Sequence, residues 1–513
     1  MPRATDFRLF ILGSALVAWL ALWQPTLALA LGALGLGLAR KRAWQAVHQA
    51  LAVDSPAVLI LMLSVALGSA LIVAPWPPDD LLRDMVAWAY HYDYRGMYAY
   101  SPLIPRYDMY LGFDKAVAWL YRSLPHTMAP HVVQLLLSVL FVGVLTASLL
   151  KVLRRHAHRY YLTTVLLALA LSTCAIRLQQ ARPELLMATW ALAATLIDAA
   201  WQGWLWSGAG LLLAPTYWLA GVYTPALLLA GDKLAFRQRA LIMATVFALQ
   251  VALWHWLSHG AWYASLNDLH AALANRLMAP AESMPVYVLL LNAFTQLLLA
   301  LALLTGWLNY RTTGWRKFFR KEAGWLLVFG WFLLPNMVRY SDILSGLLAL
   351  WAARQLRTLS FNFEGLPALR ALALVMTLTL SVTWVLSPAP RHLTFQLPAT
   401  NKPILVQGSL GSVGYRLQYD QPGLVVSPAL EVGMTIRPVQ ALANGLSQGR
   451  LSCRALAHYG FGWVVEDKLS YPPACLQLAQ ISGPYRLWEV VLPRKHTAHN
   501  NKDNAHASTR NKS

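Results

Sequence analysis

Residues 131–155, HVVQLLLSVLFVGVLTASLLKVLRR, decide the class of this chain. No Asp, Glu, Lys or Arg lies between His131 and Leu150, and Lys151, Arg154 and Arg155 follow at once. An apolar helix of about 20 residues crosses the ~30 Å hydrocarbon core of a bilayer, and Lys and Arg gather at its cytoplasmic end. The pattern recurs on both sides, with apolar runs near 7–23, 26–39, 57–74, 160–176, 184–200, 204–215, 217–230, 240–258, 285–308, 323–337, 341–353 and 367–386. The whole chain agrees: 57% of its 513 residues are hydrophobic and 12% charged, where a soluble domain carries roughly a quarter charged residues. The expected fold is mainly α, a polytopic transmembrane helical bundle of roughly 11 to 13 spans. The count stays open at Gln24-Pro25 and around Pro215, where a proline makes either one kinked helix or a re-entrant pair. The first run follows Arg3 and Arg8 without a convincing small-residue cleavage site, and reads as a retained helix.

The net charge of +20 would suggest nucleic acid in a soluble protein. Here the cations sit in short loops between apolar runs, so membrane lipids with acidic headgroups are the expected partners and nucleic acid is not. With the N-terminus inside, segments 1–8, 40–56, 151–159, 231–239, 309–322 and 354–370 hold 20 Lys and Arg, against nine in the outer segments up to residue 386. That bias orients the bundle and, with an odd number of spans, sends residues 387–513 outside. The Ala-, Leu-, Trp- and Arg-rich composition suits a bacterial inner membrane.

Beyond the last apolar run the character changes. Residues 391–492 carry short β-like runs, Ile404–Val406, Leu424–Val426 and Leu487–Leu492, and a helix near 450–458 followed by Gly460 and Trp463-Val464-Val465. A small extracytoplasmic α/β domain is expected. Cys453 and Cys475 fall in it. Outside the cytoplasm they suit a disulfide, and two free buried thiols are the alternative. Residues 493–513 are basic and polar, and read as a disordered tail.

Chemistry concentrates in the long outer loop 75–130. Six aspartates lie there: Asp79, Asp80, Asp84, Asp93, Asp108 and Asp114. Asp79-Asp80 follow Pro75-Trp76-Pro77-Pro78, which stiffens the exit from the preceding span. Leu81, Leu82, Met85, Val86 and Trp88 then predict a helix along the membrane interface, and the many tyrosines between 90 and 110 suit the same boundary. Sugar transfer from a phosphate-linked donor needs a base for the acceptor hydroxyl and positive charge for the departing phosphate. Asp79 and Asp80 can act as base, or hold a divalent ion. Asp79 can equally be a cap for a helix that starts at Asp80.

Paired acidic residues just past a span in a large outer loop, followed by an interfacial helix, resemble the GT-C superfamily of lipid-phosphate-sugar-dependent glycosyltransferases. The helix count and the soluble C-terminal domain resemble it too. The resemblance implies a core over 57–390, preceded by an N-terminal transmembrane hairpin over 1–56 that the usual pattern lacks. It implies a polyprenyl-phosphate sugar as donor and a catalytic carboxylate at Asp80, or next to it at Asp79. Magnesium or manganese at these two is allowed by the chemistry and not required, since arginines can neutralise the phosphate.

Two further clusters join this reading. Arg182-Pro183-Glu184 opens an apolar helix, where Pro suits the first position and Glu the helix N-terminus. The functional alternative puts Arg182 on the phosphate and Glu184 opposite Asp80. Arg339-Tyr340 sit at an outer helix end. Arg339 either snorkels to headgroups or offers its planar fork to a donor phosphate, the role that the resemblance gives a basic residue near a late span. Arg83 and Asp108 complete the donor-binding candidates. A lipid-linked polysaccharide polymerase or ligase, and a transporter or flippase of envelope glycans, are the competing functions. The first is disfavoured by short late outer loops, the second by the lack of clear internal repeats.

Overall fold

The computed structural model describes most of residues 80–358 and 393–491, with single turns between 56 and 67; residues 90–93, 103–107, 231–233, 262–285, 336–337, 399–400, 429–434, 468 and 470–471 fall outside the description. The expected spans at 7–23, 26–39 and 367–386 and the tail 493–513 also lie outside the described residues. Among the described residues, ten α-helices of at least ten residues form the first part: α1 (Asp80–Ala89), α2 (Leu111–Ser123), α3 (Ala129–Val152), α4 (Arg159–Thr173), α5 (Pro183–Ala193), α6 (Ala200–Leu213), α7 (Phe236–Leu257), α8 (Ala293–Thr313), α9 (Trp315–Leu333) and α10 (Ser341–Thr358). Three of them, α3, α7 and α8, are long and apolar enough to cross a membrane.

Helix α10 is the axis of the described bundle, packed against α3, α4, α5 and α8. Small residues permit the close approaches, as is usual between apolar helices. A Cβ on Gly346 would lie 2.7 Å from Leu192, and one on Gly306 2.7 Å from Trp351. Gly210 faces the Trp190 ring, which stacks on Trp206 at 4.0 Å. The two indoles also cross-bond, each Nε1 donating to the other residue's carbonyl at 2.8 and 2.7 Å.

Several expected spans are broken differently. The run 217–230 contains a ten-residue 3-10 helix, Ala220–Leu229, with Pro225 inside it. At about 2.0 Å per residue this covers roughly 20 Å. The run 160–176 stops at Thr173 and resumes as the short helix Ala175–Gln180. The run 285–308 breaks at Asn292, whose side chain caps α8 by accepting from Phe294 N at 2.8 Å. Its Nδ2 also donates to Ser172 O of α4 at 3.2 Å. The basic segment 309–322 is no loop. Gly314, at φ 77°, turns the chain between α8 and α9, and Arg316, Lys317, Arg320 and Lys321 lie within α9. Only glycine adopts that backbone region without strain.

The second part is the small α/β unit: β1 (Ile404–Val406), α11 (Gly411–Asp420), β2 (Val426–Ser427), α12 (Arg437–Ser447), α13 (Cys453–His458), β3 (Trp463–Glu466), β4 (Leu476–Ser482) and β5 (Tyr485–Val490). The strand order is β2-β1-β3-β5-β4. β1 runs parallel to β2 and β3, and β5 antiparallel to β3 and β4. A disulfide joins Cys453 to Cys475 across a Cα separation of 5.8 Å. It ties α13 to the chain entering β4.

Helix α1 corrects the expectation of a helix lying free on the interface. Residues 81–87 are all buried, because α2 covers one side of α1 and α11 of the C-terminal unit covers another. The loop goes further and joins the sheet at β2. Ala99 N donates to Val426 O at 3.0 Å, Ile436 N to Tyr100 O at 2.9 Å, and Gln418 Nε2 to Met97 O at 2.8 Å. The backbone groups of the short edge strand are thereby paired rather than left open. Tyr98 is turned inward, and Tyr100 donates to Tyr459 O, so neither belongs to a membrane-boundary girdle. Loop and C-terminal unit share one core, although more than 300 residues separate them in sequence.

Candidate functional site

The arginine-proline-acid run folds as its residue types dictate. Ala181 takes a left-handed conformation, Arg182 is extended, and Pro183 opens α5 with Glu184 in its first turn. This turns the Glu184 carboxylate back along the helix N-terminus, where free N–H groups and the dipole favour an anion. Glu184 is only 1% exposed. Arg339 reaches it from the single 3-10 turn Val338–Tyr340 that leads into α10. Its Nη2 lies 2.8 Å and its Nε 3.1 Å from Glu184 Oε1. Arg177, on the short helix after α4, brings Nη2 to 3.9 Å from Glu184 Oε2. Arg182 acts on the same carboxylate through its charge.

The loop 75–130 enters this cluster through Tyr110. Its hydroxyl accepts from Arg339 Nη2 at 3.2 Å, and its ring stacks on Tyr217 at 5.8 Å between centroids, with planes 5° apart. Next to it Trp218 N donates to Met109 O at 3.0 Å, joining loop to bundle through backbone. Tyr340 and Tyr223 close another side, their rings 6.3 Å apart. Asp342 lies in the first turn of α10, fully buried, with Oδ1 accepting from Ile343 N at 2.8 Å. Its Oδ2 and the Tyr217 and Tyr223 hydroxyls find no hydrogen-bond partner among the described residues. Three guanidiniums against two carboxylates give the cluster more positive than negative groups, in a setting where unpaired polar atoms are costly.

Asp108 connects this centre to α1. Its carboxylate accepts from Tyr110 N at 2.8 Å and from the Trp88 indole. Burial pushes its pKa above the ordinary carboxylate range, against the lowering effect of these bonds. Asp108 thus holds Tyr110 and α1 together. Trp88, in the last turn of α1, is linked to Arg339 through Asp108 and Tyr110. Asp80 begins α1, eight residues before Trp88 and so about 12 Å away along the helix axis.

The other expected residues divide. Asp79 lies outside the described residues, and for Asp80 the backbone alone is described. Glu184 grips Arg339, because a buried carboxylate beside guanidiniums is held by them. Arg339 is therefore not the lone outer cation that its sequence setting suggests. Arg83 is turned toward the C-terminal unit: it pairs with Asp84 at 2.9 Å and lies 5.5 Å from the Tyr415 ring centre, beneath α11. His126 stacks on Tyr121 at 4.3 Å, and His91 lies outside the described residues. No group of three His, Cys, Asp or Glu gathers among the described residues. Sequence reasoning did not single out Tyr110, Tyr217 or Asp342. Asp342 carried a usable signal, since an acidic residue opening an apolar helix beside an arginine is expensive unless it serves a purpose. Compared with known proteins, the chain matches no family model and no curated sequence.

Proposed function

We propose that the chain is a multi-pass membrane glycosyltransferase that takes a sugar from a polyprenyl-phosphate donor on the outer face. The observation that carries this reading is the buried Arg339–Glu184–Arg177 cluster, reached by Tyr110 from the aspartate-rich outer loop. A departing phosphate needs fixed positive charge that does not have to reorganise. Glu184 holds the Arg339 fork in one orientation, and Arg339 keeps 20% of its side chain exposed. Arg182 is the second candidate for the phosphate. Asp80, or Asp79 beside it, would take the proton of the acceptor hydroxyl as that oxygen attacks the anomeric carbon. The carbon–oxygen bond to the phosphate breaks, and the lipid phosphate leaves with its electron pair. A single displacement of this kind inverts the anomeric centre. The Lys/Arg bias supports an outer position for this site and for the C-terminal unit, and so does a disulfide, which persists in oxidising compartments.

The test is transfer from a panel of labelled polyprenyl-phosphate sugars by the purified protein in nanodiscs. Wild type should transfer one of them. Asp80→Asn, or else Asp79→Asn, should lose at least about a hundredfold in rate, within the usual worth of a positioned general base. Undiminished transfer by both variants would remove the proposed base, and no transfer from any donor would remove the activity.

A further inference from the structure

A second centre of positive charge lies at the other end of α10. Arg354 and Arg357 come 15 and 18 residues after Arg339, which places them roughly 22–27 Å from it along a helix. There they line a cavity of about 360 Å3 together with Lys151 in the last turn of α3 and Arg154 just after it, Arg239 at the start of α7, and Arg320 and Lys321 of α9. Four basic segments far apart in sequence thus converge on one hollow. Asp198 is the acidic residue in its lining, paired with Lys151 at 3.0 Å. Beneath it the buried Glu322 is engaged by Arg354 at 3.2 Å and by the Trp351 indole at 3.0 Å. Among the described residues, seven cations therefore face one lining carboxylate and one buried one. Their mutual repulsion is visible at Lys321, whose pKa is lowered first by desolvation and next by Arg354, with Glu322 opposing.

The positive-inside pattern accounts for cations at this end of a bundle. It does not by itself require that they meet in one concavity with an apolar flank. Phe236 and Leu327 are in the lining and are 68% and 59% exposed. On the same two helices Leu241, Phe247 and Trp331 are also exposed. A soluble phosphate would use the cations alone; α7 is long and apolar enough to cross a membrane, so its exposed apolar residues are where acyl chains would lie. A diacyl lipid uses both, with its headgroup phosphate in the hollow and its chains along α7 and α9.

We propose that this cavity is a binding site for the phosphate headgroup of an anionic membrane phospholipid. The site is separate from the Arg339 cluster and does not depend on the proposed sugar transfer.

The experiment compares lipid binding by native mass spectrometry and thermal shift, using the full chain in detergent with added phosphatidylglycerol, phosphatidylcholine or inorganic phosphate. Phosphatidylglycerol should bind and raise the melting temperature, and phosphatidylcholine should do so at least tenfold more weakly. The triple variant Arg320→Gln, Lys321→Gln, Arg357→Gln should weaken phosphatidylglycerol binding about a hundredfold, at roughly fivefold per cation. The charge-preserving pair Arg320→Lys, Arg357→Lys should keep most of it, which separates lost charge from lost folding. Equal binding of the two lipids, or unchanged binding by the triple variant, would overturn the proposal. Inorganic phosphate that stabilises the protein as well as phosphatidylglycerol does would make the cavity a soluble-anion site and overturn the lipid assignment.

Discussion

Replacing Glu184 with glutamine removes the carboxylate that Arg339 meets at 2.8 Å and Arg177 at 3.9 Å, and leaves both cations in place. At an effective dielectric constant near 20, unit charges at these separations attract by about 6 and about 4 kcal/mol. Dehydration of the three groups offsets most of that gross attraction. Deleting one partner of a buried pair costs about 3–5 kcal/mol, because the other charge is stranded. Arg339 is 20% exposed and can recover some hydration, so the lower end, about 3 kcal/mol, is expected for Glu184→Gln. The assay is unfolding in detergent micelles, followed by intrinsic tryptophan fluorescence, on Glu184→Gln, Arg339→Gln and the double variant. The double variant should lose less than the sum of the singles, by at least about 1 kcal/mol, since it strands fewer charges. Arg339→Lys keeps the charge but loses the fork, and should reduce sugar transfer far more than stability. If Glu184→Gln unfolds like wild type and the coupling is below about 0.5 kcal/mol, Glu184 is not the counterion of Arg339 and the construction of the site fails.

The disulfide closes a loop with a sequence separation of 22, worth about 3 kcal/mol on the chain-entropy scale. Cys453→Ser should therefore destabilise the C-terminal unit by about that much, measured by proteolysis of the outer region, and a reductant should reproduce the effect in wild type only. Asp108 binds its proton more tightly in the folded chain, so its contribution to stability is full below the ordinary carboxylate pKa and is lost as pH rises through the raised value. Asp108→Asn should flatten that part of the curve of melting temperature against pH; an unchanged curve would mean that the carboxyl titrates normally.

The three helices long and apolar enough to cross a membrane were legible because hydrophobicity and charge placement are local signals. The stretch 131–155 announces α3. The helix–Gly460–strand unit could be read from local pattern as well, and α13 and β3 occupy it. Helix breaks inside apolar runs were not legible. A run of leucines and alanines is equally apolar as an α-helix or as the 3-10 turn around Pro225, and neighbouring helices decide between them. The loop 75–130 was misread for a related reason. An amphipathic helix shows that it has an apolar face, but its sequence does not say whether lipid or protein will cover that face. Here α2 and α11 do.

The amino-acid order alone therefore fixed which segments avoid water, which ends carry cations, and where a separate α/β unit begins, since each follows from the composition of a short window. Partnership was left to the tertiary structure. Arg339 looked solitary until α5 brought Glu184 to it from 155 positions away, Tyr110 arrived from an outer loop, and four basic segments met at the far end of α10. A charge in sequence has a sign and a position. Its energy depends on the distance to other charges and on how much water remains between them, and folding sets both.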